Sequence, residues 1–370
     1  MKQSGLCTDS TAFALLFFEL CLKFNNKLGI SVLSQCLKYS CYVKIRDLYD
    51  CLLSTCTDNQ QDKFIGGYMI YRLTAHGRTL SLAEPRVMGI LNVTPDSFSD
   101  GGTHCTLDSA VIHASKMVND GADIIDVGGE STRPGAAEVS VQEELDRVVP
   151  VVEKIAKELD TFISVDTSKP EVMREAFNAG AHMINDIRAL NVEGALETCV
   201  ELNVPVCLMH MMGEPKNMQE DIHYRDLLGD ISEFLFKKLH QCLNAGMSKQ
   251  NIVIDPGIGF GKTMDQNYEL LGRLDTFGSF GYPILVGLSR KSLIGKLTGA
   301  PVDARLPGSL ALAMYSVNKG AKIIRVHDVA ETVQALSCWN HAKMFERKGP
   351  KLRELLKITK LIKNRKKTNE

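Results

Sequence analysis

Polar side chains recur in this sequence at the ends of short apolar runs, and their types are those that bind ligands and support catalysis. They are Asn92, Asp166, Asn185, His210, Asp255, Arg325 and His327, with the clusters Glu130-Ser131-Thr132-Arg133 and Ser289-Arg290-Lys291. One or two such residues would be ordinary turn or helix-cap chemistry. Capping does not explain polar groups after every run, so the pattern predicts one shared site.

The apolar runs that must position these residues are short and rich in β-branched residues, as buried strands are. They are Val87–Val93, Ile124–Gly128, Phe162–Asp166, Met183–Ile187, Pro205–His210, Ile252–Asp255, Ile284–Gly287 and Ile323–Val326, with helical patterns between them. Eight strands that alternate with helices predict a (β/α)8 TIM barrel, an α/β fold whose site lies at the C-terminal strand ends. A doubly wound open sheet is the structural alternative.

Composition excludes several classes of partner. The 370 residues are 44% hydrophobic and 24% charged, with a formal net charge of −1. Because there is no basic surplus, we predict no nucleic-acid partner, and any anionic ligand must be held by locally placed groups. The apolar run from Ala12 to Leu22 is too short to span a bilayer and contains Glu19, so we predict neither a signal peptide nor a membrane partner.

The chain divides into three parts by its hydrophobic periodicity and charge. Residues 1–68 lack sustained periodicity, and orderly strand and helix patterns begin at Met69. We interpret 1–68 as an N-terminal extension that is not part of the native protein, with a small accessory domain as the alternative. Residues 69–345 form the barrel domain. The C-terminal tail, 346–370, is basic, with leucines at amphipathic spacing; we favour a solvated extension over a membrane or nucleic-acid helix.

The cysteines follow the same division. Six of the eleven fall within the first 56 residues, and four of these form the pairs Cys36/Cys41 and Cys51/Cys56, whose four intervening residues are not a usual zinc spacing. The five later cysteines are scattered, as reduced thiols in a cytosolic enzyme would be. We therefore predict a cytoplasmic location.

Two long segments resemble the signatures of dihydropteroate synthases. They are Gly89-Ile90-Leu91-Asn92-Val93-Thr94-Pro95-Asp96-Ser97-Phe98-Ser99-Asp100-Gly101-Gly102 and Gly128-Gly129-Glu130-Ser131-Thr132-Arg133-Pro134-Gly135. Shorter agreements are Ser164-Val165-Asp166-Thr167, Ile184-Asn185-Asp186, Leu208-Met209-His210-Met211, the run from Asp255 to Lys262, Ser289-Arg290-Lys291-Ser292 and Arg325-Val326-His327-Asp328. The resemblance spans roughly Met69 to Phe345.

This resemblance implies a transferase of folate biosynthesis. The family displaces diphosphate from 6-hydroxymethyl-7,8-dihydropterin diphosphate with the amine of 4-aminobenzoate, and it uses Mg2+. These two substrates are therefore the expected partners. The resemblance also implies a homodimer.

The resemblance implies that cationic residues stabilise the diphosphate leaving group. Diphosphate gathers negative charge as it departs, which Arg325 and His327 are suited to stabilise. Magnesium commonly takes few protein ligands, so the amide oxygen of Asn92 is the expected metal ligand. With Lys291, these are the expected catalytic residues. No general base is expected, since an arylamine is already unprotonated at neutral pH.

The resemblance also assigns the substrate contacts. Asp255 should accept adjacent pterin N–H groups, because a carboxylate that ends an apolar strand is expensive to bury unpaired. The remaining contacts are Asp166, Asn185 and Lys291 for the pterin, Met209 and Phe260 as apolar walls, Ser292 for the carboxylate of 4-aminobenzoate, and Thr132 and Arg133 from the second loop. For Met209 and Phe260, plain core packing is an equal alternative. Asp100 and Arg133 are candidates for ordering loop closure.

Several alternatives stand beside this interpretation. The run Gly257-Ile258-Gly259-Phe260-Gly261-Lys262-Thr263 is similar to a phosphate-binding P-loop, but its first glycine would fall at Pro256. Asp186 and Asp328 each follow a site residue, but capping a helix or bracing a neighbour suits them better than a catalytic role. Other candidate functions are a pterin-binding methyltetrahydrofolate methyltransferase barrel and a non-catalytic pterin binder.

Overall fold

A computed structural model of the chain describes residues 71–93, 102–130, 139–214, 218 and 222–346. The predicted extension 1–68 and nearly all of the basic tail lie outside the described residues, as do Asp100, Thr132 and Arg133. Their predicted roles stay predictions, and so does the boundary at Met69.

The described residues form ten strands. They are β1 (Arg72–Ala75), β2 (Arg78–Ser81), β3 (Arg86–Asn92), β4 (Ile124–Gly128), β5 (Phe162–Asp166), β6 (Met183–Asp186), β7 (Val206–Met209), β8 (Ile252–Asp255), β9 (Ile284–Gly287) and β10 (Ala321–Val326). The last eight are parallel and close into a barrel in chain order, with β10 beside β3. This confirms the predicted (β/α)8 fold.

One or two helices follow each barrel strand. They are α1 (Gly102–Asn119), α2 (Val141–Glu158), α3 (Pro170–Asn178), α4 (Ala195–Leu202), α5 (Leu227–Asn244), α6 (Met264–Gly272), α7 (Ser292–Thr298), α8 (Leu306–Asn318) and α9 (Val329–Glu346). The start of α2 shows why the sequence begins a helix there. The Ser140 hydroxyl accepts a hydrogen bond from Glu143 N, and the Glu143 carboxylate accepts one from Ser140 N. These two bonds form a capping box. Among the described residues, no helix is long and apolar enough to cross a membrane.

The barrel interior changes character from bottom to top. Side chains at the beginnings of the strands form an apolar layer, which contains Met88, Ile124, Phe162, Met183, Cys207, Val253, Leu285 and Ile323. Inward positions recur every second residue along a strand, so Asp126 lies directly above Ile124. The upper interior is therefore polar, and it opens at the C-terminal ends of the strands.

The hairpin formed by β1 and β2 was not predicted from the sequence. Its strands have four residues each, and its turn places His76 and Gly77 at φ of 49° and 75°, the signs that a two-residue type I′ turn requires. Leu73 on β1 and Leu82 just after β2 are fully buried against the apolar layer. The hairpin thus closes the N-terminal end of the barrel.

Four of the five later cysteines have described side chains, and none of these four forms a disulfide. Cys199, Cys207 and Cys242 are buried and free, and Cys338 is exposed and free. Burial raises the pKa of each of the three buried thiols, so they remain protonated and unreactive.

Because Leu73 has no exposed surface and fills the end of the barrel, Leu73→Ala should leave a cavity. We expect the free energy of unfolding to fall by about 2–5 kcal/mol, measured by denaturant titration. The exposed Arg72 is the matched control on the same strand, and Arg72→Ala should change stability by less than about 0.5 kcal/mol. Equal stability of the two variants would contradict the closing role of the hairpin.

Candidate active site

The strand register brings the predicted polar residues to one rim. Asn92 pairs with Gly128, Gly128 with Asp166, and Asp166 with Asn185, across β3 to β6. On the far side of the barrel, Asp255 pairs with Met209. The predicted residues of β3 and β5 to β8 therefore share the C-terminal end of one barrel.

Gly128 leaves a space between two of these side chains. A Cβ at Gly128 would lie 3.9 Å from Asn92 Oδ1 and 4.0 Å from Asp166 Oδ2. Because glycine supplies no side chain there, an amide oxygen and a carboxylate oxygen flank one point. Asn92 is exposed at the end of its strand, whereas Asp166 is buried. The pair forms an oxygen-rich corner at the mouth of the barrel.

An ion-pair network occupies the polar interior. Arg325 Nε donates to Asp126 Oδ2 over 2.6 Å, and Arg325 Nη2 donates to Asp166 Oδ2 over 2.7 Å. Burial lowers the pKa of Arg325, but the two carboxylates outweigh it and raise that pKa, so the guanidinium stays charged. Burial raises the pKa of Asp166 to about 7, with Arg325 opposing and Asp126 adding to the shift.

Asp126 was not predicted as a site residue. It lies in the middle of the strand Ile124–Gly128, not at its end, and it has no exposed surface. The signal that could have found it is positional. Side chains alternate between the two faces of a strand, so the inward positions of β4 are Ile124, Asp126 and Gly128. This alternation could have predicted that Asp126 faces the barrel axis.

Asp255 anchors the opposite wall of the interior. Its Oδ1 accepts a hydrogen bond of 2.7 Å from Gly257 N. Burial raises its pKa, and the charge of Lys291 opposes that shift. Among the described residues, no other group donates to the carboxylate, so Oδ2 remains available to a ligand.

Lys262 holds the loop that follows β8. Its ammonium donates to Gly257 O over 2.8 Å and to Phe260 O over 3.0 Å, and it lies 3.1 Å from His210 Nδ1. Only 2% of Lys262 is exposed, so its charge faces the protein and not a phosphate. Gly257 has φ of 71°, and a Cβ there would lie 1.8 Å from His210 O. The glycines of the P-loop-like run therefore serve close packing.

Lys291 crosses the mouth of the pocket from the loop after β9. Its ammonium donates to Ile258 O and lies 4.6 Å from the centre of the Phe260 ring. Burial lowers the pKa of Lys291 to about 8, although the Asp255 carboxylate opposes the shift. Ser292 is exposed at the first position of α7. Phe260 is half-buried beneath Lys291, and Met209 is buried at the end of β7.

The backbone just before Lys291 is strained and firmly held. Arg290 has φ of 58°, which is uncommon for a residue with a Cβ. Its N–H donates to Ser309 Oγ over 2.9 Å, and its carbonyl accepts from Arg305 Nη1 over 3.0 Å. Its side chain forks onto Asp328, with Nε 3.0 Å from Oδ2 and a second bond from Nη2 to Oδ1. Four contacts therefore fix the backbone from which Lys291 extends.

Both aspartates predicted to brace a neighbour do so. Asp328 holds Arg290, as described above. Asp186 accepts from Arg188 N over 2.8 Å, from Leu190 N over 2.7 Å and from the Ser168 hydroxyl. Both oxygens of each carboxylate accept hydrogen bonds from neighbouring groups, which confirms the predicted bracing role.

His327 is exposed and follows the last residue of β10. Its backbone N–H donates to Ser289 Oγ over 3.2 Å, and its ring Nδ1 lies 3.1 Å from the same hydroxyl. Ser289 therefore orients the imidazole. Arg325 and His327 are neighbours along the chain, but the structure places them at different depths of the site.

Comparison with known proteins agrees with this geometry. The family described as pterin binding enzyme matches residues 88–327. Dihydropteroate synthase of Escherichia coli (strain K12) is 58% identical over 265 residues, 72% of this chain and 94% of that protein. The Xanthomonas albilineans dihydropteroate synthase solved with 4-aminobenzoic acid is 48% identical, with a TM-score of 0.71, covering 74% of this chain and 99% of that one.

The same Xanthomonas albilineans enzyme has been solved in complex with 7,8-dihydropteroate. That structure is 46% identical, with a TM-score of 0.68, and covers 74% of this chain and 98% of that one. Family match, identity and fold all point the same way. The chain therefore belongs to the pterin-binding enzyme family, among the dihydropteroate synthases.

Proposed function

We propose that this enzyme condenses 6-hydroxymethyl-7,8-dihydropterin diphosphate with 4-aminobenzoate, giving 7,8-dihydropteroate and diphosphate in folate biosynthesis. The observation that carries the proposal is the set of buried carboxylates, Asp126, Asp166 and Asp255, gathered with Arg325 and Lys291 in one barrel mouth. Relatives with one substrate or the product bound support it.

The pterin ring would lie across the polar interior. Asp255 Oδ2 is the acceptor left for adjacent ring N–H groups, since Gly257 occupies Oδ1. Asp166 and Asn185 would complete the contacts from the opposite wall, and Lys291 would donate to the ring. Phe260, held under the Lys291 ammonium, and Met209 would form the apolar walls.

The diphosphate would leave toward the rim. Arg325 keeps its charge at all working pH values, and with His327 it would stabilise the oxygens that gain charge as the bond breaks. The flanking oxygens of Asn92 and Asp166 suit a hard cation, so Asn92 Oδ1 would hold magnesium. When bound, magnesium neutralises charge on the departing diphosphate.

4-Aminobenzoate would lie nearer the solvent. The Ser292 hydroxyl and the backbone N–H groups beside it would bind the carboxylate, with Thr132 and Arg133 from the second loop. Because α7 has only seven residues, we assign this contact to hydrogen bonds more than to a helix dipole. Asp100 and Arg133 would order the loops that close over the reacting carbon.

Two other functions can be separated from this one. A methyltetrahydrofolate methyltransferase barrel would share the floor of the pocket but would not need Lys291 and Ser292. A non-catalytic pterin binder would not need Asn92, Arg325 and His327, which are all present. Diphosphate release measured with and without 4-aminobenzoate distinguishes the three, because only the synthase requires the arylamine.

The family resemblance implies a homodimer, and the scattered later cysteines favour a reducing compartment. We propose a homodimer in the cytoplasm. Light scattering at micromolar concentration tests the assembly, and a single monomeric mass would contradict it.

Asp255→Asn tests pterin recognition. The new amide oxygen can still accept from Gly257 N, which turns the amide NH2 toward the pterin donors. The loss of a charge-assisted bond worth about 1.5–3 kcal/mol should weaken pterin binding at least about tenfold, measured by calorimetry. Asp265→Asn, an exposed aspartate on α6, is the control. A stable Asp255→Asn protein with undiminished affinity would exclude the assignment.

Asn92→Ala tests the magnesium ligand. Removal of the amide oxygen should lower diphosphate affinity in the presence of magnesium at least about tenfold, while affinity for the pterin without phosphate stays within about twofold. Asn244→Ala, at the exposed end of α5, should change neither. An equal loss for both ligands, or a loss that persists without magnesium, would argue against a metal role.

A further inference from the structure

Asp126 contacts two groups at once through a single oxygen. Its Oδ2 accepts from Arg325 Nε over 2.6 Å and from Asn185 Nδ2 over 3.1 Å. The residue has 0% exposed surface, so no ligand reaches its carboxylate. Among the described residues, nothing donates to Oδ1. Asp126 therefore acts on a ligand only through its two neighbours.

The first consequence concerns the orientation of the Asn185 amide. An amide can be flipped, presenting either its oxygen or its NH2 to a given side. Asp126 Oδ2 acts as an acceptor, as its hydrogen bond from Arg325 Nε shows, so Asn185 directs Nδ2 toward Asp126. This leaves Asn185 Oδ1 on the other side of the amide, as an acceptor beside Asp166, its register partner.

The second consequence concerns the plane of the Arg325 guanidinium. Nε and Nη2 form one edge of that plane, and the two carboxylates occupy it. Two anchored nitrogens fix a planar group. No described residue accepts from Nη1, so the edge formed by Nη1 and the second Nη2 hydrogen faces away from the carboxylates, with the geometry that suits a phosphate.

We propose that Asp126 is the positioning residue of the site, which fixes the Asn185 amide as an acceptor for the pterin and aims the free edge of Arg325. The part that concerns Asn185 rests on the proposed pterin contact. Since one oxygen serves both neighbours, orientation of the pterin-binding amide and of the leaving-group cation depends on the same atom.

A double-mutant cycle tests whether Asp126 acts through Asn185. The probe is 6-hydroxymethyl-7,8-dihydropterin without diphosphate, titrated by calorimetry. Asp126→Leu, close in volume, removes the acceptor and should weaken binding about tenfold or more. In an Asn185→Ala background the same substitution should change affinity by less than about twofold. An equal loss in both backgrounds, or no loss in either, would overturn the proposal.

A conservative variant separates orientation from charge and covers the case in which Asp126→Leu fails to fold. Asp126→Asn retains an oxygen that can accept from both neighbours, so pterin affinity should stay within about threefold of the parent. If Asp126→Asn folds but binds at least about tenfold more weakly, the charge and not the orientation matters, and the proposal is wrong. Ser164→Ala is the matched control, a buried hydroxyl at the register partner of Asp126.

The Asn185→Ala protein alone separates this inference from the proposed function. If it binds the pterin as well as the parent does, the proposed Asn185 contact fails and the inference falls with it. If Asn185→Ala weakens binding while Asp126→Leu does not, only the positioning role is refuted.

Discussion

Arg325 lies between two carboxylates in the barrel interior, and the polar half of that interior depends on this contact. Asp126 and Asp166 would repel each other in a water-poor space, and the guanidinium offsets the repulsion while its planar shape sets their spacing. Loss of one partner of such a buried pair typically costs about 3–5 kcal/mol of unfolding free energy. Under the proposed function, the same contact would link pterin binding to departure of the diphosphate, because Arg325 contacts Asp166, a proposed pterin ligand, and would face the leaving group.

The two halves of the barrel have separate tasks. The lower layer, with Met88 and Phe162, is apolar and is closed from below by Leu73. Its burial supplies stability that does not depend on ligands. The upper half contains charges that are expensive to bury. The lower half therefore supports a site that would not be stable by itself.

Much of this arrangement could be predicted from the sequence, and the omissions have physical causes. The strand Ile252–Asp255 was predicted within its observed bounds, because fully buried parallel strands are apolar along their whole length and end abruptly in polar residues. Asp255 was found for that reason. Asp126 was not found, because the prediction relied on polar residues at the ends of strands and Asp126 lies in the middle of one. The β1–β2 hairpin was missed because its half-exposed strands are short.

The role of Lys262 was beyond sequence analysis for another reason. Pro256 in place of the first glycine already argued against a phosphate loop, but the sequence did not show which groups the Lys262 ammonium contacts. Its direction depends on His210, which is distant along the chain and adjacent in space. The orientation of the Lys262 ammonium therefore depends on tertiary contacts that the local sequence does not contain.

The bond between Arg290 and Asp328 joins the loop after β9 to the loop after β10. Ser309 and Arg305 also hold the Arg290 backbone, but the pair with Asp328 is the contact that joins the two loops. Because opening either loop breaks this pair, opening one loop lowers the free-energy cost of opening the other. The two loops should therefore exchange their amide hydrogens as one cooperative unit. A ligand that binds Lys291 would then lower the entropy cost of binding at His327, so the occupancy of one loop favours the occupancy of the other without any change of shape.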